Sequence, residues 1–238
     1  MRNLIKGPVA LGLLDEIEAK LGYTIPVIYT PPGKRPSERT YSMGKNAEGW
    51  SLIIAEGLII NDRVLVHELL HIQLIVEGWP SLSFAAPEST PDYSALLDCY
   101  KWINSLIAHI EVWPRSIALG FNITPHESRQ YEEGTIQPLE AGRPPEYYYP
   151  PNLHTGRLAL DLASVLLSRC RKDTKKHLLK LQGKDRVLDS AFHIAFQIET
   201  LFGTPPKITS DEYLEKFQAI ARLVGAPQLN QFVTPDNN

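Results

Sequence analysis

The chain has 238 residues, of which 43% are hydrophobic and 21% are charged, and its formal net charge is −3. That composition is typical of a globular protein and excludes a disordered chain, while the slight negative charge argues against a nucleic-acid partner. No apolar run reaches the roughly 18 residues of a membrane helix, and the segment Met1 to Lys6 lacks the apolar core of a signal peptide. We therefore expect a cytoplasmic protein in which Cys99 and Cys170 remain unpaired thiols.

The first 60 residues read as one helix followed by strands. Apolar residues recur at helical spacing from Pro8 to Leu21, and Gly22 is suited to end that helix. Three segments read as strands, at residues 25–30, 50–55 and 58–60. A polar loop separates the first two, and Glu56 and Gly57 form the predicted turn between the last two. The sequence thus predicts a small antiparallel sheet before residue 61.

An HExxH motif follows, formed by His67, Glu68 and His71 in an otherwise apolar stretch. Asn61 is a plausible N-cap before it, and Gly78 a plausible stop after it, so both histidines lie mid-helix. Residues four apart share one helix face, so the two imidazoles converge on one point while Glu68 projects to the side. Zinc accepts such imidazole nitrogens and keeps an open position for water. A hydrogen-bonded structural pair of histidines is the alternative interpretation.

A third metal ligand is expected on a second helix, predicted from Pro91 to Trp113 and ended by the following proline. This helix carries His109 and Glu111, which point nearly opposite ways because they are two residues apart. Only one of them can face the metal. We favour His109, because Ser105 and Asp98 share its flank and could orient its ring.

This order of elements, an HExxH helix followed by a ligand on a later helix, resembles the zincin metallopeptidases. It is most similar to the compact zincin-like domains of bacteria and phages, including the ImmA/IrrE type, over about Leu11 to Phe121. The resemblance implies that His67 and His71 bind one zinc ion and that Glu68 is the base that activates a water. We expect the bond that is cleaved to be a peptide bond in a peptide or protein substrate. A narrower protease that cuts one specific regulatory protein is a second hypothesis.

The remainder of the chain divides into a Pro/Tyr-rich stretch, residues 122–154, and a helical region, residues 155–238. The stretch reads either as a packed linker or as a flap over the metal, in which a tyrosine, Arg143 or His154 stabilises an oxyanion. The helical region contains predicted helices at 155–171, 185–202 and 210–224. Basic residues between the first two read as a solvated helix end.

Together these patterns predict a mainly helical α+β protein with a small antiparallel sheet packed on the HExxH helix. The expected divisions are a catalytic region 1–121, the loop or flap 122–154, and the helical region 155–238, which could pack into the same domain. The predicted function is zinc-dependent peptide hydrolysis through Glu68. The alternative is a catalytically idle zinc-binding or scaffold protein that binds a protein partner.

Overall fold

A computed structural model of the chain describes residues 1–31, 41–46, 48–58, 61–122, 124–142, 151–203 and 210–235. The helices are α1 (Pro8–Leu21), α2 (Asp62–Val76), α3 (Tyr93–Ala118), α4 (Thr124–Tyr131), α5 (Gln137–Glu140), α6 (Pro151–Leu167), α7 (Lys172–Leu179), α8 (Arg186–Phe202), α9 (Ser210–Leu223) and α10 (Leu229–Phe232). The strands are β1 (Val27–Thr30), β2 (Tyr41–Asn46), β3 (Gly49–Ala55), β4 (Leu82–Phe84) and β5 (Val233–Pro235). The predicted mainly helical α+β fold is confirmed.

The sheet before α2 is mixed, whereas the sequence predicts an antiparallel one. Its order is β1-β3-β2, with β3 parallel to β1 and antiparallel to β2. Parallel neighbours need a long crossover, and the chain between β1 and β3 supplies it and contains β2. The hairpin between β2 and β3 turns next to Glu48. Glu56 and Gly57 form the predicted turn, closed by a hydrogen bond of 3.1 Å from the Leu58 amide to the Ala55 carbonyl. Leu58 is not part of a strand, and residues 59–60 lie outside the described ranges.

The helices that flank this sheet begin and end as their capping residues predict. Gly22 ends α1 in the left-handed conformation, at φ +76°, and its N–H donates to the Glu18 carbonyl. Asn61 caps α2, because its side chain accepts a hydrogen bond of 3.1 Å from the Val64 amide. The predicted end of α3 at Trp113 is wrong, since the helix continues through Pro114 to Ala118.

Helical structure replaces the predicted loop over most of the described part of residues 122–154. α4 and α5 are joined by a π-helical turn, Glu132–Ile136, and α6 begins at Pro151. The prolines do not prevent this, because Pro125 and Pro138 stand in first turns, where a missing N–H costs little. The basic run after α6 forms α7, a further helix that the sequence pattern did not predict.

Contacts divide the chain into two compact units. The first comprises Met1–Trp79 and Pro114–Phe121. Within it α1 packs on α2, and the sheet residues Leu52 and Ile54 form a buried cluster with Leu65 of α2. Burial of these side chains stabilises α2, whose isolated 15 residues would be marginal as a helix in water.

The second unit comprises Pro80–Trp113 and Asn122–Asn238. α6 and α8 pack against each other most extensively, and β4 pairs with β5. Gly156 allows α6 to approach the chain at Val224 closely, because a Cβ there would stand 1.9 Å from the Val224 carbonyl oxygen. Among the helices of the described ranges, none has the length and apolar character that crossing a bilayer requires.

Candidate metal centre

The HExxH residues lie in the middle of α2, as their spacing predicts. Neighbouring positions such as Leu65, Leu69 and Ile72 are buried and fix the helix against the rest of its unit. The rings of His67 and His71 are 5.0 Å apart between centroids and nearly perpendicular, at 77°. One helical turn therefore brings two imidazoles together, as expected for residues at i and i+4.

Burial determines the charge of His71. Desolvation, together with a smaller effect of the neighbouring His67, lowers the pKa of its imidazole to about 3. The ring is therefore neutral at physiological pH and retains a nitrogen lone pair. A neutral imidazole is the form of histidine that binds metals.

The third imidazole is that of His109, held from two sides within α3. The hydroxyl oxygen of Ser105, one turn earlier, lies 3.4 Å from His109 Nδ1. Trp113, one turn later, stacks on the ring at 5.0 Å between centroids with an interplanar angle of 19°. The serine contact lies at Nδ1 and restrains the orientation of the ring. The sequence pattern predicted the Ser105 contact but missed that of Trp113, which its i+4 spacing from His109 could have indicated.

His67, His71 and His109 form a group that could hold a metal ion. One ring nitrogen of each lies within 4.8 Å of those of the other two. Glu111 is not a member of this group, because a carboxylate two residues from His109 projects about 200° around the helix. Glu68 follows His67 by one residue and lies beside the imidazoles on α2, about 100° around the axis.

The donor set fits a borderline transition metal. Imidazole nitrogens suit zinc, copper, nickel or iron, whereas magnesium and calcium require oxygen ligands. Nitrogens at about 2.0–2.1 Å from a tetrahedral zinc lie about 3.3 Å apart. The separations here are bounded by 4.8 Å, which exceeds that value by at most about 1.5 Å.

Asp98 does not orient His109, contrary to the sequence prediction. It stands eleven residues earlier, about 16 Å along the helix axis. Its carboxylate lies 3.3 Å from the guanidinium of Arg157 on α6. An aspartate sharing a flank with a histidine three turns away is too distant for contact, and the buried Arg157 attracts its charge instead.

The predicted oxyanion-stabilising residues are only partly described. Arg143 and the tyrosines at 147–149 lie outside the described residues. His154 is exposed near the start of α6. Nothing in the described part of the chain assigns any of these residues to the histidine group, and their role stays a prediction.

Two other features are separate from the histidine group. A cavity of about 340 Å³ is lined by α1, α2 and the end of α3, including Leu13, Leu70 and Arg115, and none of the three histidines lines it. Both cysteines are free and buried. Burial raises the pKa of the Cys99 thiol to about 11, so this thiol stays protonated and is a poor metal ligand.

Comparisons with models of protein families, with curated proteins and with solved structures found no match to this chain. The functional interpretation therefore depends on the chemistry and placement of the chain's own residues.

Proposed function

We propose that this protein is a zinc-dependent metallopeptidase of the zincin type. The observation that carries the proposal is the convergence of His109 with the two histidines of the HExxH motif. Two imidazoles one turn apart are common enough by chance, but a third from a helix far away in sequence is the ligand set of a catalytic zinc site. Three protein ligands leave the fourth position open for water or substrate.

In this proposal His67, His71 and His109 hold the zinc. A bound zinc ion would polarise a substrate carbonyl and lower the pKa of water towards 7. Glu68 accepts the proton of the attacking water and later delivers it to the amine that leaves. Ser105 holds the imidazole of His109 through Nδ1, and the stacked Trp113 keeps its ring plane fixed.

A peptide substrate is favoured by the placement of β2. This strand lies at an edge of the three-stranded sheet and contacts α2, the helix that carries the HExxH motif. The outer edge of such a strand offers backbone groups to an extended peptide, which binds by strand addition without deep pockets. A general peptide substrate and one specific regulatory protein both fit this mode. The cytoplasm is the compartment that we propose, because both cysteines are free.

Replacement of Glu68 by Gln tests this proposal. We expect Glu68→Gln to retain one zinc per chain, because Glu68 is not a ligand, and to lose about 10²- to 10⁴-fold in kcat/KM. Zinc content is measured by elemental analysis, and hydrolysis by mass spectrometry of a diverse peptide library. Glu56→Gln, in an exposed turn, is the matched control and should keep full activity.

Two results would contradict the proposal. Purified protein without a stoichiometric transition metal would exclude the metal centre. Zinc-loaded wild-type protein that cleaves no library peptide, or that behaves like Glu68→Gln, would support the idle zinc-binding or scaffold protein instead.

A further inference from the structure

An exposed tryptophan lies on the metal-facing side of α3. Trp102 precedes His109 by seven residues, which is nearly two full turns, so both side chains project from the same helix face. The separation along the axis is about 10 Å at 1.5 Å per residue. Exposure rises along this face, from 2% at Trp113 to 37% at Trp102. Solvent and ligands therefore reach the face at Trp102.

The indole of Trp102 is held in place before any ligand arrives. The guanidinium carbon of Arg157 lies 4.1 Å from the centroid of the indole. Arg157 is itself only 5% exposed and pairs with Asp98 on α3 and with Asp161 one turn along α6. A side chain fixed by a buried, paired arginine loses little conformational freedom when a ligand packs on it.

The charges around the indole balance. Burial raises the pKa of the Asp98 carboxyl, and the positive charges of Arg157 and Lys101 oppose that shift. Among the described residues, two cations, Arg157 and Lys101, thus face the two carboxylates of Asp98 and Asp161, so these four charges cancel. What the surface offers is a flat, rigid aromatic face. With the guanidinium against the ring and 37% of Trp102 exposed, the exposed part of the indole favours an electron-rich aromatic partner.

We propose that Trp102 is a specificity-determining platform that binds an aromatic side chain of the peptide substrate, three residues from the bond that is cleaved. An extended peptide advances about 3.3 Å per residue, so three residues span the 10 Å between His109 and Trp102. This proposal rests on the proposed function, because it takes the metal as the point from which the residues are counted.

Peptide hydroxamates test the platform, since the hydroxamate binds zinc and sets the register. An alanine peptide carries a single phenylalanine one, two, three or four residues from the hydroxamate, in one series on its amino side and in another on its carboxyl side. Calorimetry with zinc-loaded protein measures each affinity. In one series, phenylalanine at the third position should improve binding about ten-fold over the all-alanine peptide.

The variants separate recognition from folding. Trp102→Ala should abolish the positional preference and retain one zinc ion per chain, while Trp102→Phe should retain part of the preference. Val187 lies on α8 and is 56% exposed, so Val187→Ala is the control variant, which should keep the positional preference. A purely structural role for Trp102 would lower the thermal midpoint of unfolding without changing the preference.

The outcomes also distinguish the two proposals. Hydroxamates that bind with no positional preference, or with one that survives in Trp102→Ala, overturn the platform and leave the zinc centre intact. Zinc-loaded protein that binds none of the hydroxamates overturns the proposed function, and the platform with it.

Discussion

Removal of His109 should release the metal, whereas removal of Glu111 should not. A structural zinc site with four protein ligands contributes roughly 10–16 kcal/mol of binding free energy, so one ligand accounts for about 3 kcal/mol. At 1.4 kcal/mol per factor of ten, His109→Ala should weaken zinc binding about 150-fold. Glu111 lies about 200° around α3 from His109, so Glu111→Ala should change the affinity less than two-fold.

The assay is competition for zinc with a chromophoric chelator of known affinity, at fixed pH and ionic strength. Wild type, His109→Ala and Glu111→Ala are compared at equal folded fraction, checked by circular dichroism. The two substitutions lie within one helix and remove side chains of similar length, so each is a matched control for the other. Zinc loss in Glu111→Ala alone would refute the assignment of the third ligand, and loss in neither would show that the histidine group does not hold the ion.

Two further predictions concern the surroundings of the ligands. Ser105→Ala should weaken zinc binding about ten-fold, because His109 loses the partner that orients its ring. Ser105→Thr keeps a hydroxyl and should restore most of the affinity. Equal zinc affinities of wild type and Ser105→Ala in the same competition assay would show that Ser105 does not support the site. In metal-free protein, His71 should make stability fall as the pH drops from about 6.5 to about 3, because its folded pKa of about 3 lies below that of the unfolded chain. Between these pH values the unfolded state binds a proton that the folded imidazole does not bind, so the free energy of unfolding falls by up to about 1.4 kcal/mol for each pH unit. Urea unfolding of wild type and His71→Asn from pH 3 to 8 checks this; parallel curves would show that the ring takes up its proton while folded.

Local signals predicted the helices that carry the site. Asn61 caps α2 and Gly22 ends α1 as expected, because caps act within one turn and leave their mark in neighbouring residues. The HExxH spacing places two imidazoles together for the same reason. The contact between Ser105 and His109 also lies within one turn, and was predictable.

Secondary-structure predictions from neighbouring residues were wrong where contacts with residues distant in the sequence opposed them. Pro114 reads as a helix end, yet α3 continues past it, because Arg115 pairs with Glu77 at the end of α2 and Ala118 lines a cavity together with residues of α1 and α2. Packing and pairing of that last stretch outweigh one lost backbone hydrogen bond. β2 was missed because a mostly polar edge strand has little pattern of its own and forms by pairing with β3.

The sequence by itself determined that two imidazoles and a carboxylate share one helix, since that relation depends only on 3.6 residues per turn. It did not decide between His109 and Glu111 as the third ligand. Both residues lie on the same helix but on nearly opposite faces, and only packing against another element determines which face meets the other two histidines. The tertiary structure decided that His109 joins the pair and that Arg157 supports Trp102. Both relations connect residues that are at least 38 positions apart in the sequence, and such contacts arise only when helices pack.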